Sequence, residues 1–136
     1  PHVGGYDYSF SGLKTSFLYT LRDELARDAD FIEKNKADLA ASLQSTVIDI
    51  LMGKLQRAAQ ELQIPRVAVA GGVSANTGLR DAFLEYGARL GWKVYIPKFA
   101  YTTDNAAMVA VAGYFSHLRG EKAPIDAVPF VKTTIH

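Results

Sequence analysis

Cysteine is absent from the 136 residues. That absence removes disulfides, thiolate nucleophiles and cysteine-bound zinc, and it permits a reducing compartment. A charge excess is lacking too: 15 Lys and Arg stand against 14 Asp and Glu, a net charge of +1. This is no electrostatic footprint for nucleic acid, so an RNA contact would need a local patch or another part of a larger assembly. The longest apolar run, residues 106–115, is far short of the roughly 20 residues of a membrane helix. Internal repeats and low-complexity tracts are missing. The opening Pro1-His2-Val3-Gly4-Gly5 has neither the basic nor the apolar region of a signal peptide. Without an initiator Met, the chain reads as a piece of a longer protein. What remains is an ordinary globular composition, 49% apolar and 21% charged, long enough for one domain with a core.

Catalytic signatures are equally sparse. There is no HExxH, no G-x-S-x-G and no nucleophile–base pair. Ser11-Gly12-Leu13-Lys14-Thr15 only faintly echoes the end of a Walker A loop. His2 and His136 lie near the ends. His117 falls about four helical turns from Asp104, too far along the axis to share a metal.

The chain is organised around Arg66-Val67-Ala68-Val69-Ala70-Gly71-Gly72-Val73-Ser74-Ala75-Asn76. Residues 67–70 form a short apolar run of the kind found in strands covered on both faces. Gly71 and Gly72 break it and let another backbone or a ligand come close. Ser74 or Asn76 can cap the next helix, which Leu79, Ala82, Phe83, Tyr86 and Leu90 mark at helical spacing. Such a turn aims backbone N–H groups beyond the strand, which suits a phosphate, carboxylate or ribose. A tight, well-capped αβ connection is the plainer reading.

Upstream, residues 6–10 alternate aromatic with polar side chains, a half-buried strand signal. Ser11 is a candidate N-cap. Leu13, Phe17, Leu21 and Leu25 recur every four residues and predict an amphipathic helix. Lys14 falls in its first turn, where a cation opposes the helix dipole unless an anion compensates. Ser11, Gly12 and Lys14 are therefore a candidate anion contact, with a solvated lysine as the alternative. Residues 30–38 read as a polar turn. Leu39, Leu43, Val47, Leu51, Leu55, Ala58 and Leu62 mark a long second helix, ended by Ile64-Pro65. Gly53 weakens that helix by about 1 kcal/mol relative to Ala and leaves room for close packing.

Downstream, Gly91 is a C-cap and residues 92–96 are the next strand, closed by Pro97. Residues 99–105 form a loop in which Thr102, Thr103 or Asp104 can cap a last helix over residues 106–117. That helix is apolar nearly all round, which predicts burial and tight packing. Gly120 ends it, and residues 128–134 could pair as an edge strand. Three strands each followed by a turn and a helix would, if parallel, gather the turns at residues 11–14, 71–76 and 101–105 at one sheet edge. Ligands of open α/β sheets bind at that edge. The convergence points to a nucleotide or phosphorylated ligand. Asp104 has two readings here: a helix cap, or a ligand to a metal or sugar hydroxyl.

Ser9-Phe10-Ser11-Gly12-Leu13-Lys14-Thr15, Gly71-Gly72-Val73-Ser74-Ala75-Asn76 and Thr103-Asp104-Asn105-Ala106-Ala107-Met108 stand in the order and spacing of one family. From Tyr8 to about Leu118 the chain resembles the tRNA N6-adenosine threonylcarbamoyltransferases, formerly called O-sialoglycoprotein endopeptidases of the glycoprotease family. The resemblance implies an α/β fold, namely the C-terminal ribonuclease-H-like half of an actin-like, sugar-kinase-like ATPase, helix-rich with a small mainly parallel sheet. Residues 1–120 would be that subdomain, lacking its first strands, and residues 121–136 a tail. It also implies transfer of a threonylcarbamoyl group from threonylcarbamoyl-adenylate to N6 of an adenosine beside the tRNA anticodon, with a divalent metal, iron or zinc, holding the donor. By resemblance Asn76 contacts the nucleotide of the adenylate donor or ATP. Gly71 and Gly72 form the turn against which it lies, and Asp104 is a metal ligand. Lys14 receives no role.

The departures shape the expectations. The family's two metal-binding histidines, spaced four apart, have no counterpart here, and one aspartate cannot hold a catalytic metal tightly. The chain alone is therefore expected to be inactive. In the family's topology two further strands precede residue 6, so the sheet is expected to expose unpaired edges and the chain to self-associate. tRNA and accessory subunits of the transfer complex are the expected partners, in the cytoplasm and away from membranes. The alternatives are an actin-like nucleotide-binding half of a sugar kinase or chaperone ATPase, and a non-catalytic interaction paralogue. Such a paralogue would be expected to lose Asp104 and Asn76, and both are present. A peptidase role has little support, because no Ser, Cys or metal-bound water arrangement can be built.

Overall fold

Leucine and phenylalanine at every fourth position build the first helix, α1, Ser11–Arg27. The computed structural model describes residues 5–128. The chain divides into two compact units, Pro1–Thr102 and Thr103–His136.

Leu13, Phe17 and Leu21 form the half-buried stripe of α1, and the outer positions are exposed. Ser11 is the first helical residue rather than the cap. Phe10 holds the cap position without a side-chain bond, and the Ser11 carbonyl accepts from Thr15 Oγ1 at 3.0 Å. The second helix, α2, spans Phe31–Glu61, so the polar turn expected over residues 30–38 is instead the exposed first turns of a helix. Asp28 explains the difference. Its carboxylate accepts from the Asp30 N–H at 3.0 Å and from Lys34 Nζ at 2.7 Å, which reverses the chain within residues 28–30. The following Glu, Lys and Ala residues are fair helix formers and need no burial to stay helical. Gly53 does not serve close packing: a methyl group there would meet nothing within 4 Å. Past the end of α2, Gln63 takes a left-handed φ of 56°, and the Ile64 N–H returns to the Ala59 carbonyl at 2.9 Å.

The sheet has two parallel strands, β1, Arg66–Ala68, and β2, Lys93–Tyr95. Arg66 pairs with Lys93, Val67 with Val94 and Ala68 with Tyr95. Between them runs α3, Thr77–Leu90, capped by Gly91 at φ 68° as its sequence predicts. The core lies between α2, α3 and one face of this sheet: Met52 and Ala59, Val67, and Leu79 and Phe83. Ile48, Leu55 and Val94 pack against it.

β1 is covered on one face only, with Val67 buried and Arg66 and Ala68 exposed. An apolar run rich in alanine does not require a second covering layer, and none of the described elements of the first unit provides one. Residues 6–10 form no strand. Their alternation is spent on α2 instead: Tyr6 Oη donates to Glu61 Oε2 at 2.7 Å and Tyr8 Oη to the Leu51 carbonyl at 3.0 Å. From α2, Lys54 Nζ donates to the Asp7 carbonyl and the Arg57 guanidinium to that of Gly5. A strand needs a partner ladder, and the neighbour here is a helix. Two strands rather than three therefore feed the turns.

In the second unit, α4 spans Ala106–Leu118. No residue of α4 is buried, and Val109 is 71% exposed. Within its own unit nothing is there to bury the helix, since α4 is the only regular element among the described residues of that unit. Its cap is Asn105, whose Oδ1 accepts from the Met108 N–H at 3.1 Å, so Thr102, Thr103 and Asp104 do not cap it. Gly120, at φ 75°, follows its end. The edge strand expected over residues 128–134 lies, beyond Val128, outside the described residues. No helix among the described residues is long and apolar enough to cross a membrane.

Candidate nucleotide site

The turn after β1 is built from side chains that hold each other. The last ladder bond joins the Val69 N–H to the Tyr95 carbonyl at 3.1 Å. Gly71 then takes φ 82° and ψ 176°, a conformation that costs any other residue strain. A single 3₁₀ turn follows, Gly72–Ala75. Ser74 is fully buried, and its Oγ donates to the Gly71 carbonyl at 2.7 Å. The N–H groups of Gly72 and Val73 have no hydrogen-bond partner among the described residues. A methyl group added at Gly71 or Gly72 would meet nothing within 4 Å, so the open side of the turn faces free space.

Asn76 does two things at once. Its Oδ1 accepts from the Leu79 N–H at 2.9 Å, capping α3, and its Nδ2 donates to Gln44 Oε1 on α2 at 2.8 Å. Of the two cap candidates in the sequence, Asn76 holds the position and Ser74 is used inside the turn. Gly78 makes this approach feasible: a methyl group there would lie 3.1 Å from Ile48 Cδ1 and 3.2 Å from Gln44 Nε2. Arg80 completes the frame. Its guanidinium donates to the Ser74 carbonyl at 2.9 Å and to the Pro97 carbonyl at 2.8 Å.

Two open clefts flank α2 beside this turn. One, of about 440 Å³, lies between α1 and α2 and is lined by Phe10, Leu13, Lys14 and Phe17. The other, of about 320 Å³, reaches Gln44, Asn76 and Leu79. Val73 lines both. Lys14 is therefore brought to the same side of the unit as residues 71–76. Ser11 and Gly12 line a separate surface hollow with Thr15 and Tyr19. Asp104 belongs to the second unit; it is exposed, and its carboxylate makes no hydrogen bond or ion pair among the described residues.

Gln44, Gly78 and Arg80 were not singled out by sequence reasoning. Arg80 left a usable signal, since a cation near the N-terminus of a helix is disfavoured by the dipole and needs acceptors such as the two carbonyls it finds. Gln44, on an exposed helix position, left none. Chemically the arrangement is a binding frame. It holds no nucleophile–base pair, and no three His, Asp or Glu side chains among the described residues come together to hold a metal ion.

The family model described as tRNA N6-adenosine threonylcarbamoyltransferase matches residues 1–111. A tRNA N6-adenosine threonylcarbamoyltransferase of Porphyromonas gingivalis is 73% identical over 135 residues, 99% of this chain and 40% of that protein. Those of Phocaeicola vulgatus and Riemerella anatipestifer are 58% and 54% identical, over 99% and 93% of this chain and 40% and 37% of theirs. The chain thus spans about two fifths of the length of the curated relatives it matches. With the match covering most of its residues, the chain belongs to the tRNA N6-adenosine threonylcarbamoyltransferase family.

Proposed function

We propose that this chain carries the nucleotide-contacting part of an enzyme that transfers a threonylcarbamoyl group from its adenylate to N6 of an adenosine beside the tRNA anticodon. The observation that carries the reading is the turn over residues 71–76. It stands at the carboxyl end of a parallel strand, opens onto free space at Gly71 and Gly72, and ends in an asparagine already held in place. Ligands of α/β sheets bind at such ends. Gly71 and Gly72 would let the nucleotide lie against the backbone. Asn76 would exchange its bond to Gln44 for one to the ligand while its Oδ1 keeps the cap. Lys14, beside Val73, would add positive charge for a phosphate, with Ser11 and Gly12 at the start of the same helix.

Asp104 would be one ligand of a divalent metal, iron or zinc. The described residues do not by themselves fit such a site, because one carboxylate is a single hard ligand and no three His, Asp or Glu side chains among the described residues come together. The other ligands would come from the rest of the protein, and this chain alone would be inactive. In this reading residues 1–120 are the second ribonuclease-H-like half of an actin-like ATPase fold, with 121–136 as a tail. tRNA and accessory subunits are reached through the whole protein, in the cytoplasm. Both outer edges of the two-stranded sheet lack a partner strand among the described residues, which favours self-association of the isolated chain.

The test is transfer to tRNA by the protein as the cell makes it, with Asn76→Ser and Asp104→Asn introduced separately. Serine still caps a helix, so Asn76→Ser should raise KM for the adenylate with the fold intact. Asp104→Asn should lower kcat and weaken metal retention. Wild-type rates in both variants would refute the assignment.

A further inference from the structure

Arg80 stands where the backbone stops holding the two strands together. The ladder of β1 and β2 ends at the bond from Val69 to Tyr95. Beyond it the chains part, one into the turn over residues 71–76 and the other through Pro97 into the 3₁₀ turn Phe99–Tyr101. Pro97 has no N–H to offer. The Ser74 carbonyl lies within a 3₁₀ turn in which the Ser74 N–H donates to the Gly71 carbonyl and the Asn76 N–H to the Val73 carbonyl. One planar guanidinium bridges both orphan carbonyls, at 2.9 and 2.8 Å. Its fork fixes a separation between two acceptors, which a point-charge ammonium cannot do. The bridge is part-buried, so water competes with it only weakly. Four residues before Arg80, on the same side of α3, Asn76 caps the helix. The guanidinium therefore reaches past the cap to the turn and ties it to the segment after β2.

We infer that Arg80 is a positioning residue. By clamping the Ser74 and Pro97 carbonyls it sets the shape of the 71–76 turn and its spacing from residues 97–101, and so prepares the nucleotide-contacting backbone before ligand arrives. This inference rests on the nucleotide reading for its functional consequence, while the clamp itself is a property of the unliganded protein.

The experiment uses the protein as the cell makes it, with Arg80→Ala, Arg80→Lys and Gly87→Ala. Gly87→Ala disturbs α3 against Val94 of β2, away from the clamp, and serves as a control for general loosening. Amide hydrogen exchange is measured without ligand. Arg80→Ala should speed exchange at the hydrogen-bonded amides of the two segments, Ser74 and Asn76 in one and Tyr101 in the other, by about tenfold relative to the body of α3, the equivalent of about 1.4 kcal/mol. Arg80→Lys should fall between Arg80→Ala and wild type. Gly87→Ala should speed α3 and β2 without singling out those two segments. AMP affinity should fall about tenfold in Arg80→Ala and be partly rescued in Arg80→Lys. Exchange at both segments unchanged in Arg80→Ala, or raised equally in Gly87→Ala, would overturn the inference. Selective exchange together with a wild-type protein that does not bind AMP would uphold the clamp and overturn the nucleotide reading instead.

Discussion

Replacing Gly87 by alanine should destabilise the packing of α3 on β2 although alanine is the better helix former. A methyl group built on Gly87 would lie 2.5 Å from Val94 Cγ2, more than about 1 Å inside ordinary carbon–carbon contact. Val94 cannot easily turn away. Its β-branched side chain is stiff at χ1, and its backbone is registered against Val67 in the two-stranded ladder. Gly87 is equally constrained, since its carbonyl accepts from the Trp92 N–H at 3.0 Å and from the Gly91 cap. Overpacking of this kind costs about 1–3 kcal/mol, and a contact this short belongs at the upper end. The propensity gain of Gly→Ala returns about 1 kcal/mol. The net loss is about 2 kcal/mol, which speeds native-state amide exchange in α3 and β2 about 30-fold. Gly53→Ala in α2, where the methyl group meets nothing within 4 Å, should do the opposite and slow exchange there by up to about fivefold. Adding Val94→Ala to Gly87→Ala should relieve the clash and give strong coupling in a double-mutant cycle. If Gly87→Ala alone left α3 as stable as wild type, the close approach of helix and strand described here would be wrong.

Gln63 holds a left-handed φ of 56° at the end of α2. Gln63→Gly should stabilise the last turn of α2 by about 1 kcal/mol, read as slower exchange of the Leu62 and Ile64 amides, and no change would mean the conformation is unstrained. Asp28 is held below its ordinary carboxylate range, first by the hydrogen bond from Lys34 and then by the Asp30 N–H. Its contribution is therefore present above the unfolded carboxyl value and lost as pH falls through the lowered one. Urea midpoints of wild type and Asp28→Asn should differ at neutral pH and converge in acid. A constant difference would show that Asp28 acts otherwise.

The helices were legible because leucine at every fourth position in α1 and α2, and the Gly91 stop after α3, are local signals. The cap at Asn76 was legible for the same reason. Residues 6–10 misled because period-two alternation reports which side chains face a neighbour, and here the neighbour is α2 rather than a strand. The exposure of α4 was not legible, since an apolar helix predicts burial without saying what buries it. In the turn after β1, the break at Gly71 and the cap at Asn76 were legible from residue type and spacing. Gln44 and Gly78 were not, because their importance comes from α2 meeting α3 across more than thirty residues of chain. The placement of Asp104 beside a turn was readable, whereas its release from capping was decided by Asn105 one residue on.

The most direct test of the central claim is an amide NMR titration of the protein with AMP and ATP, in wild type and in Asn76→Ser. The account predicts shifts at residues 71–76, with the affinity weakened in Asn76→Ser while α3 keeps its cap. Shifts confined to other parts of the protein, or equal affinity in the two proteins, would contradict it.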